Sequence, residues 1–144
     1  SSIFNSLYIL FFNMENKLDK ILAEISAGEL IDKITILEIK KIKISDKSKI
    51  SDVEKELMSL NQSVKKYLPD ERNISKYKDE LVQINLKLWD LENAKREAER
   101  KKEFGEEFIE DSRNVYKLND ERAKIKLAIN NLLGSNIKEV KSHR

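Results

Sequence analysis

The chain has 144 residues, of which 40% are hydrophobic and 38% charged, with three Gly, one Pro and no Cys. That length suits a single domain able to bury a core without covalent or metal staples, and the absence of cysteine excludes disulfides, thiol nucleophiles and thiolate metal sites. The 28 basic and 26 acidic residues leave a net charge of +2, too little to gather nucleic acid or an anionic membrane through an overall field.

So few Gly and Pro starve the chain of the turns that β folds need, which predicts an all-α fold, an antiparallel helical bundle. The lone histidine, His143, lies beside the C-terminus, where a solvated and inert side chain is expected. Catalysis through His or Cys is not expected, and no catalytic residue, metal or cofactor is assigned.

The opening stretch SSIFNSLYILFF is apolar and aromatic and changes abruptly at Asn13 and Met14 into the charged run MENKLDKIL. It is too short to span a bilayer, which takes about 20 apolar residues, and it lacks the basic n-region of a secretory signal. Residues 1–13 are therefore read as a non-native or disordered extension preceding the natural start at Met14, with a hydrophobic anchor as the competing reading.

Leu18, Ile21, Leu22 and Ile25 recur at helical spacing and predict a short first helix. Ser26 with Glu29 makes a capping box that opens a second helix over about Ala27 to Ile44. Its stripe is Leu30, Ile34 and Leu37, flanked by Ile31, Ile39 and Ile42. After the polar turn SDKSK, Ser51 and Glu54 form a second capping box, and Val53, Leu57, Leu60, Val64 and Tyr67 follow as a coiled-coil-like seam that Pro69 stops.

Ile74, Tyr77, Leu81, Ile84, Leu88 and Leu91 then alternate three and four, widened by Val82, Leu86 and Trp89, before the solvated run NAKREAERKK. An unbroken helix onward to Leu133 would be ~90 Å long, too long for so small a domain. A reversal near Gly105 is therefore expected, with a helical hairpin of about Ile74 to Lys102 and Glu106 to Leu133. Gly134 ends the bundle domain of residues 14–134, and residues 135–144 are read as a loose tail. No internal repeat is evident.

The last helix has the seam Phe108, Asp111, Val115, Leu118, Arg122, Ile125, Ile129 and Leu132, in which Asp111 and Arg122 are charged. Glu38 likewise interrupts the stripe of Ile31, Ile34 and Ile42. An unpaired buried charge costs several kcal/mol, so such residues must be paired, bound to a ligand, or displaced to the edge. A turn near Gly105 sets Arg122 opposite Leu88 and near Trp89 and Glu92, and Glu92, Glu38 or Asp111 is the expected partner. The preferred reading is an ion-pair network that fixes helix register. The alternatives are a subunit interface and a pocket for an anionic or sugar-type ligand, lined by Glu38, Trp89, Glu92, Arg113, Tyr116, Asn119 and Arg122.

The stretches GELIDKITILEIK (Gly28 to Lys40), LWDLE (Leu88 to Glu92) and EEFIEDSRNVYKLNDERAKIKLAINNLLGS (Glu106 to Ser135) together resemble a family of small bacterial and phage proteins known only as domain of unknown function 6165. The resemblance implies an all-α fold and a cytoplasmic location, and it assigns no activity or site residue. The string ELIDKITILEIKKIKI is also similar to the first helix of all-helical chorismate mutases, but the arginine expected there is absent.

Two functions follow as expectations. One is a non-catalytic interaction or assembly module, self-associating through helix packing. The other is a small-molecule binding protein or enzyme using the polar pocket. Nucleic-acid and membrane partners are not expected, and whether the chain is an enzyme stays open.

Overall fold

A computed structural model describes the backbone of residues 2–15, 18–68, 70–137 and 140–142, and the side chains of all of these except residues 10–15 and 72. The expectations placed on Pro69 and His143 lie outside the described residues. The described residues hold five α-helices and no strand: α1 (Ser2–Glu15), α2 (Ala27–Lys43), α3 (Lys47–Tyr67), α4 (Ser75–Lys101) and α5 (Glu106–Leu133). A single 3-10 turn, Arg72–Ile74, leads into α4. The expected all-α bundle is what the chain forms.

Helix α2 sits at the centre and packs on α3, α4 and α5, while α4 and α5 pack on each other as the long hairpin. Being packed on three helices explains why residues from more than half of its circumference are buried, from Gly28, Leu30 and Ile31 to Thr35, Leu37 and Ile39. The apolar centre joins Leu30, Ile31 and Ile34 of α2 to Val64 of α3, Ile74 and Leu81 beside and within α4, and Ile129 of α5. Each fully buried aliphatic side chain contributes about 1.5–3 kcal/mol, so this cluster is what holds the two hairpins together.

Helix boundaries depart from the sequence reading in three places. Leu18, Ile21, Leu22 and Ile25 form no helix and are exposed, because none of them meets the bundle. The helix lies earlier, over Ser2–Glu15, and the described side chains of α1, residues 2–9, are all exposed. Helix α3 begins at Lys47 rather than Ser51, since Asp46 caps it by accepting from the backbone N–H of Ser48 at 2.9 Å and of Lys49 at 3.4 Å. At Ser26 only half of the capping box forms. Its hydroxyl accepts from the Glu29 N–H at 3.1 Å, but the Glu29 carboxylate turns to Lys126 instead.

The reversal between α4 and α5 occurs where expected, yet the left-handed residue is Lys102 (φ 57°), not Gly105, whose φ of −81° suits any residue. The second glycine signal is correct: Gly134 ends α5 with φ 65°. Beyond it, residues 135–137 and 140–142 have no regular structure, and one of them is tethered. Lys141 lies 2.7 Å from Asp120 of α5.

Three seam residues are not core. Tyr67 (67% exposed) stands at the end of α3. Ile42 (80% exposed) lies at the free end of α2, and Leu132 (51%) faces outward, because the buried line of α5 there runs through Lys126, Ile129 and Asn130.

Candidate functional site

The polar residues that matter cluster where α2 meets the base of the long hairpin. Asp32, Thr35, Asn85, Lys126 and Asn130 are all buried. Asn85 of α4 donates from Nδ2 to the Asp32 carboxylate at 2.9 Å and to the Thr35 hydroxyl at 3.0 Å, and Thr35 in turn donates to the Asp32 carbonyl at 2.7 Å. From α5, Arg122 places Nη1 3.3 Å from Asn85 Oδ1 and Nε 3.9 Å from Asp32. One turn on, Lys126 meets Glu29 at 2.6 Å and Asp32 at 4.0 Å.

Two carboxylates and two cations thus balance, and no buried side-chain polar atom among the described residues lacks a partner. A balanced, fully hydrogen-bonded network of this kind sets which turn of α2 faces which turn of α5.

The start of α2 is fixed by the same helix. Its exposed backbone donors are answered by protein: Ala27 by the Ser135 hydroxyl at 3.4 Å, Gly28 by Asn130 Oδ1 at 2.7 Å, Glu29 by Ser26, and Leu30 by the Ser26 carbonyl at 3.1 Å. Gly28 is needed here because the helices touch. A Cβ at that position would stand 2.3 Å from the Lys126 carbonyl oxygen, a backbone atom. With its donors taken, this helix end offers nothing to an anion.

Beside the network lies a groove of ≈ 320 Å³ between α2 and α4. One face of α4 forms its wall, with Asn85, Leu88, Trp89, Glu92, Asn93 and Arg96 at helical spacing; Ile36, Ile39 and Lys40 of α2 stand opposite, and Arg122 closes one side. Lys40, Glu92 and Arg96 make no ion pair among the described residues. A second, larger depression of ≈ 600 Å³ lies between α4 and α5, with Asp79, Glu80 and Glu121 set against Lys76. No group of His, Cys, Asp and Glu among the described residues could hold a metal ion.

The expected site residues are therefore divided. Trp89, Glu92 and Arg122 line one groove, as the hairpin register predicts. Arg122 nevertheless pairs with Asp32, not with Glu92, Glu38 or Asp111, because α2 inserts its own carboxylate beside the hairpin. Glu38 sits at the edge of α2, 3.6 Å from Lys78, which is the displaced arrangement that its interrupted stripe allowed. Arg113 pairs with Glu110 of its own helix at 3.7 Å, Tyr116 is 56% exposed, and Asn119 does not line the groove.

Asp32, Asn85 and Lys126 carry the network and were missed. The one available signal was the spacing Gly28, Asp32, Thr35, Ile39, which places a carboxylate on a face of α2 that holds small and apolar residues.

Among the described residues no helix is long and apolar enough to cross a membrane. No curated protein and no solved structure matches this chain. The model of a family of unknown function (DUF6165) matches residues 21–144, which include every residue of the network and of the groove, and the chain belongs to that family.

Proposed function

We propose that this chain is a non-catalytic assembly module that pairs with a second copy of itself through the outer half of the α4–α5 hairpin. The observation that carries this reading is the distribution of burial. Leu81, Ile84, Asn85 and Leu88 are buried in α4 and Lys126, Ile129 and Asn130 in α5, whereas no residue from 89 to 125 is. Beyond the groove, no hydrogen bond or ion pair among the described residues joins residues 97–119 to a third helix, and two helices alone bury too little to be stable on their own account.

Its surface has the features of a self-complementary seam. Ile109 and Tyr116 in the arm and Leu127 at its base are 45%, 56% and 42% exposed, and at about 100° per residue they fall within ~20° of one line along α5. At the tip, residues 93–102 of α4 carry five basic and two acidic side chains, and residues 103–112 carry five acidic and no basic ones. Two arms related by a two-fold axis along the hairpin would set each basic edge against the partner's acidic edge. The same adjacency disfavours nucleic acid, which would meet the acidic edge together with the basic one.

Light scattering coupled to size exclusion, run over a range of concentrations, tests the proposal. A dimer is expected that Ile109→Glu with Tyr116→Glu converts to a monomer of unchanged helicity. A wild-type chain that stays monomeric up to roughly millimolar concentration, where only association weaker than about 4 kcal/mol escapes notice, would sink it.

A second reading, a small-molecule site, is favoured by the groove beside Trp89 and Arg122 and is compatible with the first, since the groove lies at the junction of base and arm. Resemblance to small bacterial and phage proteins supports the cytoplasm as the place of action.

A further inference from the structure

We infer that the groove between α2 and α4 binds a small aromatic monocarboxylate, an inference that rests on the small-molecule reading of this groove and is independent of self-association. Three features select the ligand. The first is shape: ≈ 320 Å³ is at the small end of ligand sites and holds a body of one or two rings. The second is the lining of that body, in which Trp89 and Leu88 of α4 share the groove with Ile36 and Ile39 of α2, which suits a flat apolar group that can stack.

The third is charge. The Arg122 guanidinium is held in place by Asn85 and Asp32, and Nη2 makes no hydrogen bond among the described residues. Its charge is balanced within the network, but Lys40 and Arg96 share the groove wall with a single carboxylate, Glu92. One positive charge is thus left over. A monoanion neutralises it, and a carboxylate can accept a charge-assisted hydrogen bond from Arg122 Nη2, which the network leaves without one. A phosphate dianion would need a further cation and would approach Glu92 at its own cost.

The protein contains its own reporter, because Trp89 is the single tryptophan of the chain. Titration with 3-phenylpropionate, followed by tryptophan emission excited where phenyl groups do not absorb, should give a saturable change. The neutral analogue 3-phenylpropanol should bind at least about tenfold more weakly, and inorganic phosphate should leave the emission unchanged.

Lys40→Gln and Arg96→Gln alter exposed or half-exposed positions outside the buried network, and each should weaken 3-phenylpropionate binding about three- to tenfold with the melting temperature retained. Arg122→Gln should weaken it most. Equal binding of the alcohol, a response to phosphate alone, or unchanged affinity in both Lys40→Gln and Arg96→Gln would overturn the carboxylate assignment and leave a site of another class. If none of the three compounds changes the emission, both the assignment and the small-molecule reading fail.

Discussion

The base and the arm of the long hairpin belong to the same two helices and have similar sequence patterns, yet they are stabilised differently. At the base, α2 lies against both helices, so Leu81 and Ile129 are fully buried and even Asp32, Lys126 and Asn130 are withdrawn from water. In the arm, the same three-four alternation continues through Leu91, Val115 and Leu118, but each of these is only half-buried. What packs there is local: Phe104 meets Phe108 edge to face at 5.3 Å, and Glu97 pairs with Arg100 and Lys101. The Arg100 guanidinium holds the Glu97 carboxyl below the usual carboxylate range, but these groups are solvated and screened. A heptad-like pattern therefore specifies that two helices will pair, and a third element decides whether the pair becomes a core.

The sharpest way to break this comparison is to remove charge from the base. Asp32→Ala strips Asn85, Arg122 and Lys126 of a shared acceptor and should cost about 3–5 kcal/mol by denaturant unfolding. Arg122→Ala should cost less, about 1–2 kcal/mol, because its side chain is 30% exposed and 3.9 Å from Asp32. A larger loss in Arg122→Ala than in Asp32→Ala would mean that Arg122, not Asp32, is the hub.

Truncating matched leucines compares the two regions directly. Leu81→Ala should cost about 2–5 kcal/mol, and Leu118→Ala under about 1.5 kcal/mol when measured at concentrations too low for pairing. Similar values in dilute solution would show that the arm is covered within the monomer.

Gly28→Ala tests how tightly α2 is held against α5. Helix propensity alone favours alanine by about 1 kcal/mol, but its Cβ meets the Lys126 carbonyl, so a net loss of about 1–3 kcal/mol is expected. A stabilised variant would mean that the helices can separate at no cost.

At the tip the expected effect is small and opposite in sign. Lys102→Gly relieves a left-handed residue and should raise stability by about 0.5–1 kcal/mol. Smallest of all is the removal of residues 1–13. The described side chains of α1 are exposed, so the melting temperature should hold within about a degree. A fall of several degrees would give α1 a structural role.

The helices α2, α4 and α5, the reversal before Glu106 and the left-handed Gly134 were legible in the chain, because propensity, three-four spacing and capping act between residues close in sequence. So was the register that brings Arg122 to Trp89, since a short turn leaves an antiparallel pair only one alignment. Where a helix begins was less legible: Asp46 outcompetes Ser51 as a cap because either can accept from free backbone donors and the earlier one lengthens α3.

What only the tertiary structure decided is which charges are buried and with whom. Asp32 reads as one more charge on a mixed helix until α2 is inserted beside α4 and α5. Only then do Asn85 and Lys126, 53 and 94 residues away, come within reach and make its burial affordable. Partners that distant leave no periodic trace, because each lies on a different helix with its own phase.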